Sequence, residues 1–178
     1  GIWSISPETE LICEYYCSMS EMDAVLDYID AVEKSSMLAA QKYALSYARY
    51  QLFLEKEKYT VNEDSFDLSD AASRDFYRYL EVAIYFTTAQ YDLAREASKP
   101  LLQSDNAWLK ETSLYLQARL SLKEAQEQLV DEWEGTISDN EEGKALIDQS
   151  RAEFKAYMDQ YPNGLYYSSA QGLLRRLN

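Results

Sequence analysis

The sequence predicts an all-α fold built from antiparallel helical hairpins. Three observations carry this. The chain of 178 residues has only three Pro and five Gly, so helix breakers are few. Ala, Leu, Glu, Gln and Lys are abundant, while Val and Ile are too sparse for a buried parallel sheet. Apolar residues recur at helical spacing, and short polar stretches separate the runs.

The first helix is expected to start at Ser6-Pro7-Glu8 and end near Ser18. Ser6 is a good N-cap, Pro7 suits the first helical position, and Glu8 and Glu10 favour the positive end of the helix dipole. A second start is Ser20-Glu21-Met22-Asp23, after which Met22, Val25, Leu26, Ile29 and Val32 share one face. Ser35-Ser36 ends that helix. A third is expected over 37–58, with a small-residue stripe of Ala44, Ala48 and Leu52. Tyr43, Tyr47, Tyr50 and Leu54 form a second apolar edge, so this helix is expected to be covered on more than one side. Residues 60–68 are polar, acidic and aperiodic, and read as a loop.

Ser69-Asp70 caps a fourth helix, expected to reach Ala89 with Phe76, Tyr79, Leu80, Ala83, Ile84 and Thr87 inward. Past Gln90 the pattern restarts at Tyr91 and continues to Gln103. Ser104-Asp105-Asn106 is a turn and cap. A long helix then runs over 107–132, with Trp108, Leu109, Leu116, Leu120 and Leu129 apolar. The acidic, Gly-containing stretch 133–143 reads as an inserted loop. Residues 141–160 are helical, Tyr161-Pro162-Asn163-Gly164 turns the chain, and a last, unpaired helix occupies 165–177. The expected organisation is therefore seven or eight helices in one continuous solenoid. Residues 1–68 form a divergent N-terminal part, and 69–178 form the hairpins.

Two hairpins look related. Tyr91 and Ala94 open the second helix of one, and Ile147 and Ser150 open the second helix of the other. Ala94 and Ser150 are the small residues where two helix backbones would approach closely. Phe154 stands four positions after Ser150, Pro162 eight after that, and Gly172 ten further on. These residues resemble a tetratricopeptide repeat, which wants small, aromatic and Pro at those steps. Asn106 stands where that repeat usually has Pro, and the Ala94-to-Ser150 spacing far exceeds the repeat's roughly 34 residues. A lengthened helix plus the 133–143 insertion accounts for the excess.

The run "AEFKAYMDQYPNGLYYSSAQGLLRRL" resembles a narrower group, the tetratricopeptide lipoproteins of the bacterial outer-membrane β-barrel assembly machinery. Phe154, Tyr157, Tyr161, Pro162, Tyr166 and Ala170 carry the likeness. It implies a right-handed superhelix of hairpins, a non-enzymatic scaffold, and a periplasmic or outer-membrane-associated location. The cytosol, with the chain holding extended peptides as a chaperone or adaptor, is the alternative. Each repeat buries its faces on its neighbours, so Leu173, Leu174 and Leu177 are expected to need a further repeat of a longer parent chain or a partner.

Composition narrows the chemistry. The net charge of −14, from 31 acidic and 17 basic residues, repels phosphate backbones and argues against nucleic-acid binding, while suiting a basic partner. No apolar run is long enough for this segment to insert into a membrane. With no histidine, Ser-His-Asp and Cys-His sites are impossible within the chain. No catalytic, cofactor or metal residue is assigned. Cys13 and Cys17 lie one helical turn apart and lack further zinc ligands. "DEWEGTISDNEEG" lacks the carboxylate spacing of a calcium loop. The candidates for partner binding are Trp133 in that loop, the tyrosines Tyr115, Tyr166 and Tyr167, and the terminal leucines.

Overall fold

The computed structural model describes residues 18–129 and 140–178. The helix start expected at Ser6, the pair Cys13 and Cys17, and Trp133 with most of its loop lie outside them. Every regular element among the described residues is helical. The α-helices are α1 (Ser18–Glu33), α2 (Ala39–Glu55), α3 (Ala71–Thr87), α4 (Tyr91–Ser98), α5 (Ala107–Leu129), α6 (Glu141–Gln160) and α7 (Tyr167–Leu177), with short 3-10 helices at Lys56–Lys58, Glu63–Ser65 and Lys99–Gln103. The chain divides into two compact units, one built on Glu21–Ser113 and one that includes Leu114–Asn178. The division falls inside α5.

In the Glu21–Ser113 unit, α1 turns a different face inward than its sequence suggests. Val25 and Val32 are buried as expected, but Leu26 is 54% exposed and Tyr28 is fully buried. A buried tyrosine needs a partner for its hydroxyl. Tyr28 has one, donating to the Phe76 carbonyl at 2.8 Å. Its ring stacks on Tyr79 at 5.6 Å and meets Phe76 and Trp108 edge-on. Phe76 and Trp108 stack in turn at 6.4 Å. This cluster draws on α1, α3 and α5.

Gln41 ties α2 to the segment that leads into α3. It is buried, accepts from the Leu38 N–H at 2.9 Å and donates to Asp67 O and Asp70 Oδ1 at 3.0 and 2.8 Å. Asp70 is also the expected cap of α3, accepting from the Ser73 N–H at 3.2 Å. These bonds to Ser73 and Gln41 hold the Asp70 carboxyl below its ordinary range. Phe76, Tyr79, Leu80 and Ala83 are buried on α3, as are Tyr77 and Val82, while Ile84 and Thr87 are half-buried.

The α3–α4 turn closes without glycine. Ala89 adopts φ 58°, and the Gln90 N–H bonds to Tyr85 O at 2.9 Å, a Schellman-type end. α4 buries Tyr91, Ala94 and Ser98, then tightens to a 3-10 helix over Lys99–Gln103 instead of continuing as expected. Pro100 explains this, since it lacks an N–H and its ring crowds the preceding turn. Ser104 bonds Asp75, and Asn106 caps α5 by accepting from the Leu109 N–H at 3.0 Å.

In the Leu114–Asn178 unit, α5 is buried on almost every side around Ala118–Ala125. Ser150 on α6 is fully buried, and its hydroxyl donates to Ala118 O at 2.9 Å. The expected close approach at this small residue is thus present. Asn140 caps α6 by accepting from the Gly143 N–H at 3.0 Å, so 141–143 belong to the helix rather than to the loop. Gly143 is tight against α5: a Cβ there would lie 2.7 Å from Leu129 Cγ. Phe154, Tyr157 and Ala170 are also fully buried. Gly172 is different, because a Cβ there would meet nothing within 4 Å. Of Ala170 and Gly172 on α7, only Ala170 is fully buried. Past Tyr161, Pro162 is exposed, the Gly164 N–H bonds to Tyr161 O at 3.0 Å, and α7 starts at Tyr167 rather than Leu165.

Candidate protein-binding surface

Two of the expected binding residues of the C-terminal part, Tyr115 and Leu173, are packing residues. Tyr115 is 6% exposed and stacks on Tyr166 at 4.5 Å with rings 10° apart. Its hydroxyl pairs with Ser169 at 2.7 Å and accepts from Arg119 at 2.9 Å. The Tyr157 hydroxyl accepts the Tyr166 N–H at 2.8 Å, so this aromatic group locks the turn before α7. Leu173 is already fully buried. Tyr166, Tyr167, Leu174 and Leu177 are half-buried. The Leu177 carbonyl accepts from Arg151. Tyr115 and Leu173 are therefore corrected from surface to core.

The exposed apolar surface lies elsewhere, on α2. The inward stripe behaves as its sequence suggests: Leu45, Ala48 and Leu52 are buried and Ala44 half-buried. The second edge does not. Tyr43, Tyr47, Tyr50 and Leu54 are 71%, 54%, 42% and 55% exposed. The expectation that α2 is covered on this side is overturned. A tyrosine edge can remain in water because each ring carries a hydroxyl, which an aliphatic edge of the same spacing lacks.

These side chains form an ordered ridge. Tyr43 and Tyr47 stack at 6.0 Å with rings 13° apart, and Tyr50 leans on Phe53 at 6.4 Å. Lys56 lies 4.5 Å above the Phe53 ring and pairs with Glu21 at 2.6 Å, closing the ridge's C-terminal end. Every exposed residue of α2 before Glu55 is uncharged.

Acidic elements border the ridge. On one side, Lys42 donates to Glu33 O at 2.8 Å and Lys56 reaches Glu21, which places α1 there. α1 carries Glu21, Asp23, Asp27, Asp30 and Glu33, of which Asp30 pairs with Lys34 just past the helix and Glu21 with Lys56. Burial, and then the neighbouring Asp23 and Asp30, push the Asp27 carboxyl above its ordinary range. On the other side, Gln41 fixes the 62–70 segment, which carries Glu63, Asp64, Asp67 and Asp70 and no basic residue.

Among the described residues, no group of His, Cys, Asp or Glu is placed to hold a metal ion, and no helix is long and apolar enough to cross a membrane. Comparison with models of known protein families, with curated proteins and with solved structures finds no match. The tetratricopeptide resemblance therefore rests on the residues that carry it.

Proposed function

We propose that this chain is a non-enzymatic protein-binding module, a scaffold whose partner is held by burial of aromatic side chains. The observation that supports it is the α2 ridge: three tyrosines and a leucine stand in water on a helix face without charge, in a chain of net charge −14. Exposed aromatic anchors of this kind supply much of the energy of protein interfaces. A ridge suits a folded partner better than a groove-bound extended peptide, so scaffold is favoured over holding chaperone. The repeat-like placement of Ala94, Ser150, Phe154 and Ala170, all buried at helix contacts, suits a tetratricopeptide-like module. The envelope location follows from the Phe154–Ala170 resemblance alone and belongs to the same proposal.

Photo-crosslinking in the producing organism tests this reading. A benzophenone side chain at Tyr47 is expected to capture a discrete partner, and one at exposed Gln103 is not. Equal capture from both positions, or from neither, overturns it.

A further inference from the structure

The ridge has a period that specifies its occupant. Ala40, Tyr43, Tyr47, Tyr50 and Leu54 follow one another at three, four, three and four residues, and all are exposed. That alternation is the seam of a left-handed coiled coil, in which a second helix lies along the first at a shallow angle. The positions beside the seam are Ala39, Ser46 and Phe53 on one side and Ala44 and Gln51 on the other. None is charged, so α2 itself contributes no charge pair to choose a partner. The choice falls to the bordering elements, and both are acidic.

We infer that α2 is a docking seam for one amphipathic helix of a basic partner, whose apolar edge covers the tyrosines while Lys or Arg on its flanks face α1 and the 62–70 segment. This rests on the protein-binding reading above and names its partner class. A second copy of the chain is the rival occupant. Two copies joined on α2 would bring these acidic borders against each other, which costs interaction free energy at low salt.

The test uses three labelled peptides of about three heptads. The first has Leu at the seam positions and Lys flanks, the second the same Leu seam with Glu flanks, and the third the composition of the first in scrambled order. Fluorescence anisotropy follows their binding to the whole chain and to a Tyr47→Asp/Tyr50→Asp variant, whose melting temperature is checked against the parent. A Tyr47→Phe/Tyr50→Phe variant keeps the seam and serves as the conservative control. The Leu/Lys helix is expected to bind at least tenfold more tightly than the other two. The Asp variant should lose that margin, the Phe variant should keep it, and binding should weaken as salt is raised. Equal binding of the scrambled peptide, or equal binding by the Asp variant, overturns the seam. Equal binding of the Leu/Glu helix overturns the charge assignment. Sedimentation showing a dimer that Tyr47→Asp/Tyr50→Asp dissolves overturns it in favour of a second copy. In each of those cases, discrete capture from Tyr47 in the organism would still uphold the protein-binding reading.

Discussion

Tyr28 on α1 donates its hydroxyl proton to the main-chain carbonyl of Phe76 on α3, 2.8 Å away, while their rings meet edge-on at 5.7 Å. One side chain thus joins two helices through both its polar tip and its apolar body. Tyr28→Phe removes only the tip and is expected to cost about 1 kcal/mol. Tyr28→Ala removes the ring as well and should cost about 3–5 kcal/mol. Chemical denaturation with unchanged m-values checks both. Equal costs would mean that the hydroxyl, not the ring, holds the pair together.

The buried phenols also set an alkaline limit. Burial pushes Tyr79 and Tyr77 up to about 12 and Tyr28 higher still. In the unfolded chain these phenols release their protons near pH 10, roughly the value of a tyrosine in water. Above that pH the unfolded state binds fewer protons than the native one, so stability falls as pH rises. Their contribution is fully present below about pH 10 and is lost through pH 12 and beyond, at up to roughly 1.4 kcal/mol per pH unit for each buried phenol. Both side chains are buried, but the Tyr77 hydroxyl is less densely surrounded than that of Tyr79 and should contribute less. Denaturation curves from pH 9 to 12 should show this decline, shallower in Tyr28→Phe and Tyr79→Phe. A flat profile would contradict the assignment.

Ala89 occupies a left-handed conformation, at φ 58°, that suits glycine. Ala89→Gly should therefore stabilise the chain by about 1 kcal/mol, despite the greater freedom of the unfolded glycine. For a chain of this size that is a rise of roughly 2–4 °C in melting temperature. An unchanged or lower value would mean that the turn relaxes differently.

The two helical glycines of the C-terminal unit should respond in opposite ways. A Cβ at Gly143 would sit 2.7 Å from Leu129 Cγ, so Gly143→Ala is expected to destabilise by about 1–3 kcal/mol. A Cβ at Gly172 meets open space, and Gly172→Ala should gain about 0.5–1 kcal/mol from helix propensity. Thermal melts of the two variants decide this. Destabilisation by Gly172→Ala would restore the close approach that the repeat resemblance assigns to that position.

Local chemistry made much of the fold legible. The caps at Asp70, Asn106 and the helical run of α6 could be read because each depends on neighbours in sequence. Small-residue contacts at Ala94 and Ser150 were legible for a similar reason, since size at a fixed helical step is a local property. What escaped reading depends on distant partners. Tyr28 stands three residues after Val25 and four before Val32, on the buried face, but a tyrosine there does not announce that its hydroxyl will find the Phe76 carbonyl 48 residues away. The same limit hid the surface. Tyr43, Tyr47 and Tyr50 have the spacing of a covered edge, and tyrosine serves a core and a wet face equally well. Tyr115 was misplaced in the other direction, because its hydroxyl finds Ser169 and Arg119 instead of water.

The division between the two units falls within α5, between Ser113 and Leu114, and this has a practical result for dissection. Cutting there would sever a continuous ladder of main-chain hydrogen bonds and leave new helix ends without caps. It would also leave Trp108, which completes the Tyr28 cluster, on a helix stub of about two turns, too short to persist by itself. Either half, to be studied separately, has to carry the whole of Ala107–Leu129, with the apolar side chains of its surplus end replaced by polar ones.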